Sequence, residues 1–377
     1  MSGISKIPFF GVARQYTSIR EEILDATDKV YSSGKVLDGM YTNLFEQYMR
    51  KRAERKYACA VGSCTQALIF SLRAAMRTST FMFNTRDKVL IPAQSFIASL
   101  NAVIEAGFDP IFCDVDPITG LIDLNKIPVH HSEIAAIMYV NLFGNIIDYD
   151  KLTLYRQMWA EDNIPVIEDA AQSWGASYRG VPSGKLGDVS CLSFDPIKNL
   201  NNYGSGGMIL TDDPEIWEMV NDMRDNGKGN EHIASGTNSK MSEADCSQMI
   251  VKLRYFDLWQ KRRREIAEYY TSELDGYVTI PNVDMNVEHA WSKYVIHYEY
   301  RDYLQSFLAD TGIETKKNYP VPLHLHSLAF AFDIEYNTGV LEGAEQFSKT
   351  CLSLPIYPEL EDAEVEAVVD AIKECIS

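Results

Sequence analysis

The chain has 377 residues, with 35 Lys and Arg against 53 Asp and Glu, giving a formal net charge of −18 at pH 7. That balance speaks against a nucleic-acid binder, which needs clustered cations to displace counterions. The one basic run, Lys261, Arg262, Arg263 and Arg264, falls in a helical pattern and reads as a solvated face.

With 46% hydrophobic and 11% aromatic residues the chain can fill two domains, a larger one over 1–248 and a smaller one over 249–377. No apolar run reaches the ~18 residues of a membrane helix, and the start MSGISKIPFF lacks the pattern of a signal peptide. A soluble, cytoplasmic protein is expected. The seven cysteines lack CxxC spacing and mostly lie in apolar runs, so they read as small buried hydrophobes. No His/Asp/Glu cluster has metal-ligand spacing, so no metal site is expected.

From 57 to 211 short β-rich runs alternate with helical patterns, the rhythm of an α/β sheet with crossover helices. The expected strands are 57–61, 88–92, 110–115, 135–140, 165–168, 189–194 and 206–211, most of them continuously apolar and so buried on both faces. Leu68, Leu72 and Ala75 set the period of a helix that begins near Ser63. The polar stretch 225–242 reads as a long exposed loop, and 243–274 as a long helix. Strands near 278–280 and 294–300 and helices near 301–311 and 361–375 complete a smaller α+β unit. His130 and His131, ahead of a strand, read as surface residues.

The segment 165–208 carries the sharpest chemical signal. Its first strand delivers Asp169 at a carboxyl end, where open α/β sheets bind ligands. The next strand delivers Ser193 and then Lys198, followed by a turn containing Gly204, Gly206 and Gly207. Burial would favour a neutral, nucleophilic Lys198 amine. Pyridoxal phosphate needs a lysine, a carboxylate for its ring nitrogen and a helix N-terminus for its phosphate. Lys198, Asp169 and the segment Gly62, Ser63, Cys64, Thr65 can supply these, with Gly62 allowing close backbone approach and Phe96 offering a flat ring.

These motifs resemble the DegT/DnrJ/EryC1/StrS sugar aminotransferases over nearly the whole chain. The resemblance runs through GKVLDGMYTNLFEQYMRKRAERKYACAVGSCTQAL, PAQSFIASLNAVIEAGFDPIFCDVDPITGLID, EDAAQSWGASYRG, GKLGDVSCLSF, GSGGMILTDD, YPVPLH and LSLPIYPEL. It implies the aspartate aminotransferase type I fold, with a large mixed-sheet α/β/α cofactor domain and a small C-terminal α+β domain. It also implies pyridoxal 5'-phosphate as cofactor, bound as a Schiff base to Lys198, which then shuttles the substrate proton. Asp169 would pair with the ring nitrogen, Gln172 would lie beside the ring, and Phe96 would stack on it. Ser63, Cys64, Thr65 and Ser193 would hold the phosphate.

The resemblance further implies a homodimer with shared sites, Asn238 reaching the partner's phosphate. Cys64 stands where the family has glycine, and Ser239 and Lys240 where it often has an aromatic and an arginine. The implied reaction moves an amino group from an amino acid, expected to be L-glutamate, to a nucleotide-linked keto-6-deoxy sugar, with a 3-keto sugar slightly favoured over a 4-keto one. Tyr319, His324 and Lys240 are candidate substrate contacts, and Lys228 and Lys317 candidate sources of local positive charge. A dehydratase of the same family would carry histidine in place of Lys198, and a non-catalytic sensor would have no need of the lysine.

Overall fold

The computed structural model describes residues 6–78, 87–127, 133–158, 164–228, 235–331 and 340–377. His130, His131 and residues 229–234 of the polar loop lie outside them. All seven expected strands form one sheet, in the order Tyr57–Val61, Gly207–Thr211, Val189–Ser193, Val166–Asp169, Ile134–Val140, Lys88–Pro92, Asp109–Cys113. Their buried residues pack on both sides into separate apolar clusters, which explains the continuous hydrophobic runs. Gly207–Thr211 is antiparallel to both its neighbours, while the other pairings are parallel. Its amino end therefore lies at the same edge of the sheet as the carboxyl ends of the rest, with Gly207 opposite both Val61 and Ser193. That edge is where the polar candidates gather.

The third strand stops at Cys113 because the Asp114 side chain turns to other work. It accepts from the N–H groups of Val115, Gly343 and Ala344 and from Lys126 Nζ, anchoring the start of helix Glu342–Thr350. The expected helix 243–274 is two, Glu243–Leu253 and Phe256–Leu274. Between them the ladder tightens, Arg254 and Tyr255 donating to the carbonyls three residues back. The second helix carries the basic run, and the expectation of a solvated face fails at Arg263, while Lys261 is exposed. Arg263 is 6% exposed and donates to the carbonyls of Trp291 and Ile356, while Arg262 and Arg264 pair with Asp362 and Glu288.

The C-terminal part has its own apolar cluster, which gathers Ile266, Tyr270 and Leu274 with Leu304, Leu352 and Val368, and to which Ile7 from the start of the chain also belongs. Its two-stranded sheet pairs Tyr294–His297 with Cys351–Leu354. Residues 278–280 form no strand, only isolated bridges, Val278 to Asp275 and Thr279 to His297, the latter pair exchanging hydrogen bonds. The helices Arg301–Asp310 and Asp362–Ile376 lie where expected, the latter opened by a capping box between Glu361 and Glu364. Six of the seven cysteines are buried and Cys375 is half-buried. Among the described residues no helix is long and apolar enough to cross a membrane.

Candidate active site

A cavity of about 260 Å³ opens at that sheet edge, lined by Ser63, Cys64, Thr65, Phe96, Asp169, Gln172, Ser193, Lys198 and Tyr319, together with Phe10, Ser99, Lys316 and Asn318. Eight residues proposed from the sequence as cofactor ligands thus come together in one place, joined by the substrate candidate Tyr319.

Each is delivered by a strand end. Tyr57–Val61 runs through Gly62 and Ser63 into helix Cys64–Thr78, whose first-turn N–H groups lack intrahelical acceptors and face the cavity with partial positive charge. Ser63 Oγ accepts from Gln66 N at 3.2 Å, fixing the helix start. The glycine that this crossing demands is Gly207 rather than Gly62. A Cβ on Gly207 would stand 2.5 Å from the Ser63 carbonyl carbon and 2.6 Å from Cys64 N, whereas one on Gly62 would approach only Ser239 Oγ at 3.2 Å.

Asp169 ends its strand 4% exposed. Its Oδ1 accepts from Ala171 N at 3.1 Å and its Oδ2 from Ser99 Oγ at 3.0 Å, Ser99 in turn meeting Ser95 Oγ at 2.9 Å. Burial pushes the Asp169 carboxyl above the usual aspartate range, opposed by those two donors and by Lys198. Ser95 and Ser99 were not singled out in the sequence. Their spacing of four across the start of helix Ile97–Ala106 was the available signal. Lys198 is half-buried, and its Nζ has no hydrogen bond or ion pair among the described residues. Burial lowers its amine below the usual lysine range, against the pull of Cys64, Asp169 and Asp195.

Gln172 is oriented at both ends, Oε1 accepting from Phe143 N at 3.1 Å and Nε2 donating to Tyr319 Oη at 3.2 Å. Phe96 stands at the lip, 52% exposed, its ring centroid 5.7 Å from that of Tyr319. Ser193 Oγ accepts from Asp195 N at 3.3 Å, shaping the turn that leads to Lys198.

Other candidates stand elsewhere. Lys240 is held by Asp225 at 2.6 Å and Asp38 at 3.5 Å and does not line the cavity. Lys228 also pairs with Asp225, and Lys317 with Asp302. His324 is buried against Phe112 with Nε2 3.6 Å from Glu345, away from the cavity lining. Asn238 is exposed and bridges to Asp225, outside the cavity of its own chain.

A buried carboxylate with one donor on each oxygen, an amine with no partner, a helix N-terminus and a glycine crossing without room for a Cβ fit pyridoxal phosphate. The model of the DegT/DnrJ/EryC1/StrS aminotransferase family matches residues 17–373. The chain belongs to this family. As a DegT/DnrJ/EryC1/StrS aminotransferase it uses pyridoxal 5'-phosphate and has the type I aminotransferase fold.

Two curated relatives illustrate the range of names within the family. A "pleiotropic regulatory protein" of Geobacillus stearothermophilus is 34% identical, covering 98% of each chain. A dTDP-3-amino-3,4,6-trideoxy-alpha-D-glucose transaminase of Streptomyces venezuelae is 33% identical, over 98% of this chain and 96% of its own. Among solved structures, S. venezuelae DesV, described as a complex with a ketimine intermediate, superposes with a TM-score of 0.89 at 32% identity, covering 98% of both chains.

Proposed function

We propose that this enzyme transfers an amino group from L-glutamate to the keto group of a nucleotide-linked 6-deoxy sugar, at carbon 3 in preference to carbon 4. The observation that carries the reading is the unpartnered, half-buried Lys198 in one cavity with the buried Asp169. The preference for carbon 3 draws support from the YPVPLH segment and from the name of the Streptomyces venezuelae relative.

Bound pyridoxal phosphate supplies an electron sink for the pair released when a proton leaves the substrate carbon. The protein does the rest. Lys198 Nζ would be the attachment point for the cofactor and, as a free amine, would carry the proton between the substrate carbon and the cofactor carbon; burial lowers its basicity and so raises its unprotonated fraction. Asp169 would face the ring nitrogen and, as a carboxylate, favour a proton there, with Ser99 fixing one of its oxygens. The start of helix Cys64–Thr78, with Ser63, Thr65 and Ser193, binds phosphate oxygens. Gln172 and Tyr319 orient one another beside the ring, and Phe96 covers its face and excludes water.

In the same reading two copies share their sites, and Asn238 reaches the partner's phosphate. The exposed row Met40, Leu44 and Tyr48 on helix Met40–Arg52 supports a covered face in the assembled enzyme. The chain divides near residue 248 and acts in the cytoplasm. A regulatory role, suggested by the name of the Geobacillus relative, has no need of the lysine that this chain keeps.

The test is transfer from glutamate to a panel of UDP-, dTDP- and GDP-linked 3-keto and 4-keto 6-deoxy sugars. Amination of a 3-keto member is expected. Failure with every sugar, alongside transfer to a simple 2-oxo acid, would reassign the enzyme to amino-acid metabolism.

A further inference from the structure

The cations expected near the site, Lys240, Lys228 and Lys317, are each held by a carboxylate. Two others are not. Lys316 lines the cavity beside Phe10, its Nζ 4.7 Å from the Phe10 ring centroid and 5.5 Å from that of Phe9. Lys293, 3% exposed, points its Nζ at the same Phe10 ring from 5.6 Å. Neither amine makes a hydrogen bond or an ion pair among the described residues; the charge of Lys316 acts on Glu314 and that of Asp195 on Lys293 without direct contact.

Lys316 is exposed to solvent, but Lys293 is buried, and a ring face offsets only part of the cost of burying an ammonium. Here the neighbours make matters worse. Burial, followed by the charges of Lys198, Arg263 and Lys316, pushes the Lys293 amine down to about 7, and the acidic group acting against them is Asp195. The fold gives no reason for this excess of positive charge, since neither side chain closes a turn, caps a helix or answers a buried acid. An anion at the cavity would answer it. The cofactor phosphate already has a helix start and three hydroxyls contributed by other segments, so the anion wanted here belongs to the substrate.

We propose that Lys316 and Lys293, set around Phe10, form a subsite for an oxyanion of the incoming substrate, supplied by the carboxylate of the amino donor or by a phosphate of the sugar nucleotide. The proposal rests on the transferase reading above and extends it to residues that the sequence did not single out.

The experiment compares holoenzyme with Lys316→Ala, Lys316→Glu, Lys293→Met and the conservative Lys316→Arg. Affinity for dTDP and UDP is measured by calorimetry, and the KM for glutamate from the cofactor absorbance change in the donor half-reaction. The charge-removing variants are expected to weaken one of the two ligands roughly tenfold, with Lys316→Glu weaker still, Lys316→Arg close to wild type, and cofactor content unchanged. Selective loss of nucleotide affinity assigns the phosphate, and selective rise of the glutamate KM assigns the carboxylate.

Unchanged values for both ligands in the folded variants would overturn the proposal, as would a wild-type enzyme that binds neither. Should Lys293→Met fail to fold, Lys316→Ala and Lys316→Glu, read against Lys316→Arg, decide alone. A wild-type enzyme that aminates no keto sugar, yet loses ligand affinity in Lys316→Glu, would retire the transferase substrate and leave the subsite standing.

Discussion

Glu168 and Asp169 are consecutive carboxylates at the end of one strand, both buried, and they face opposite sides of the sheet. Glu168 is saturated. Its Oε1 accepts from Asn141 Nδ2, Ser183 Oγ and Gly184 N, and its Oε2 from Gly184 N, Leu186 N and Ser190 Oγ. Asp169 has one donor on each oxygen and opens onto the cavity. The same group in the same strand is a structural clamp on one face and an unfinished site on the other. What separates the two is how many protein donors have been brought to each.

The most drastic way to break that contrast is Asp169→Asn, which keeps the shape and removes the charge. Amine transfer should fall about 10²–10⁴-fold, measured as kcat/KM with glutamate, while the fold survives. The mirror substitution, Glu168→Ala, should leave five residues without their buried acceptor and lower stability by roughly 3 kcal/mol or more in a urea melt. A Glu168→Ala protein as stable as wild type would erase the distinction.

The pH dependence sharpens it further. Because burial raises the folded-state pKa of Asp169, the apoprotein binds more protons there than the unfolded chain does, so this residue's contribution to stability is fully present below about pH 4. It declines as pH rises through the folded value. Cofactor-free Asp169→Asn should therefore gain on wild type at neutral pH, and the gap should close under acid; a gap that widens under acid would contradict the assignment. A smaller effect is expected of Gly207→Ala, whose Cβ presses on Ser63 and Cys64. A loss of about 1–3 kcal/mol together with weaker cofactor retention, read by absorbance after dialysis, would tie the helix start to the strand crossing. Least of all, Lys240→Ala should change stability by about 1 kcal/mol or less and leave glutamate turnover near wild type.

Much of this was legible in the sequence. Every strand of the main sheet announced itself, because strands covered on both faces read as nearly continuous apolar runs even where a Glu168 or a Ser190 interrupts them. Lys198, Asp169, Gln172, Ser193 and the Ser63–Thr65 start were found because each follows directly from a strand end. Charge was read less well. Lys240 looked like a substrate contact until Asp38, two hundred residues earlier, and Asp225 were seen to hold it. Arg263 looked like surface because a run of four cations hides that a single turn of helix presents one of them to the core. Lys293 and Lys316 lay unremarked in unrelated segments, joined only by a phenylalanine near the start of the chain.

The antiparallel strand Gly207–Thr211 has a consequence for the order of assembly. The edge strand Tyr57–Val61, which leads into helix Cys64–Thr78, pairs with the rest of the sheet through this strand, about 150 residues further along the chain. The two walls of the cavity thus belong to pieces of sheet that become hydrogen-bonded into one only when their connector is made. A growing chain that stops short of residue 207 can already pack helix Cys64–Thr78 against helix Ile97–Ala106 and strand Val189–Ser193, but it lacks the strand that ties Tyr57–Val61 into the sheet, so the edge at which the cavity opens is completed last.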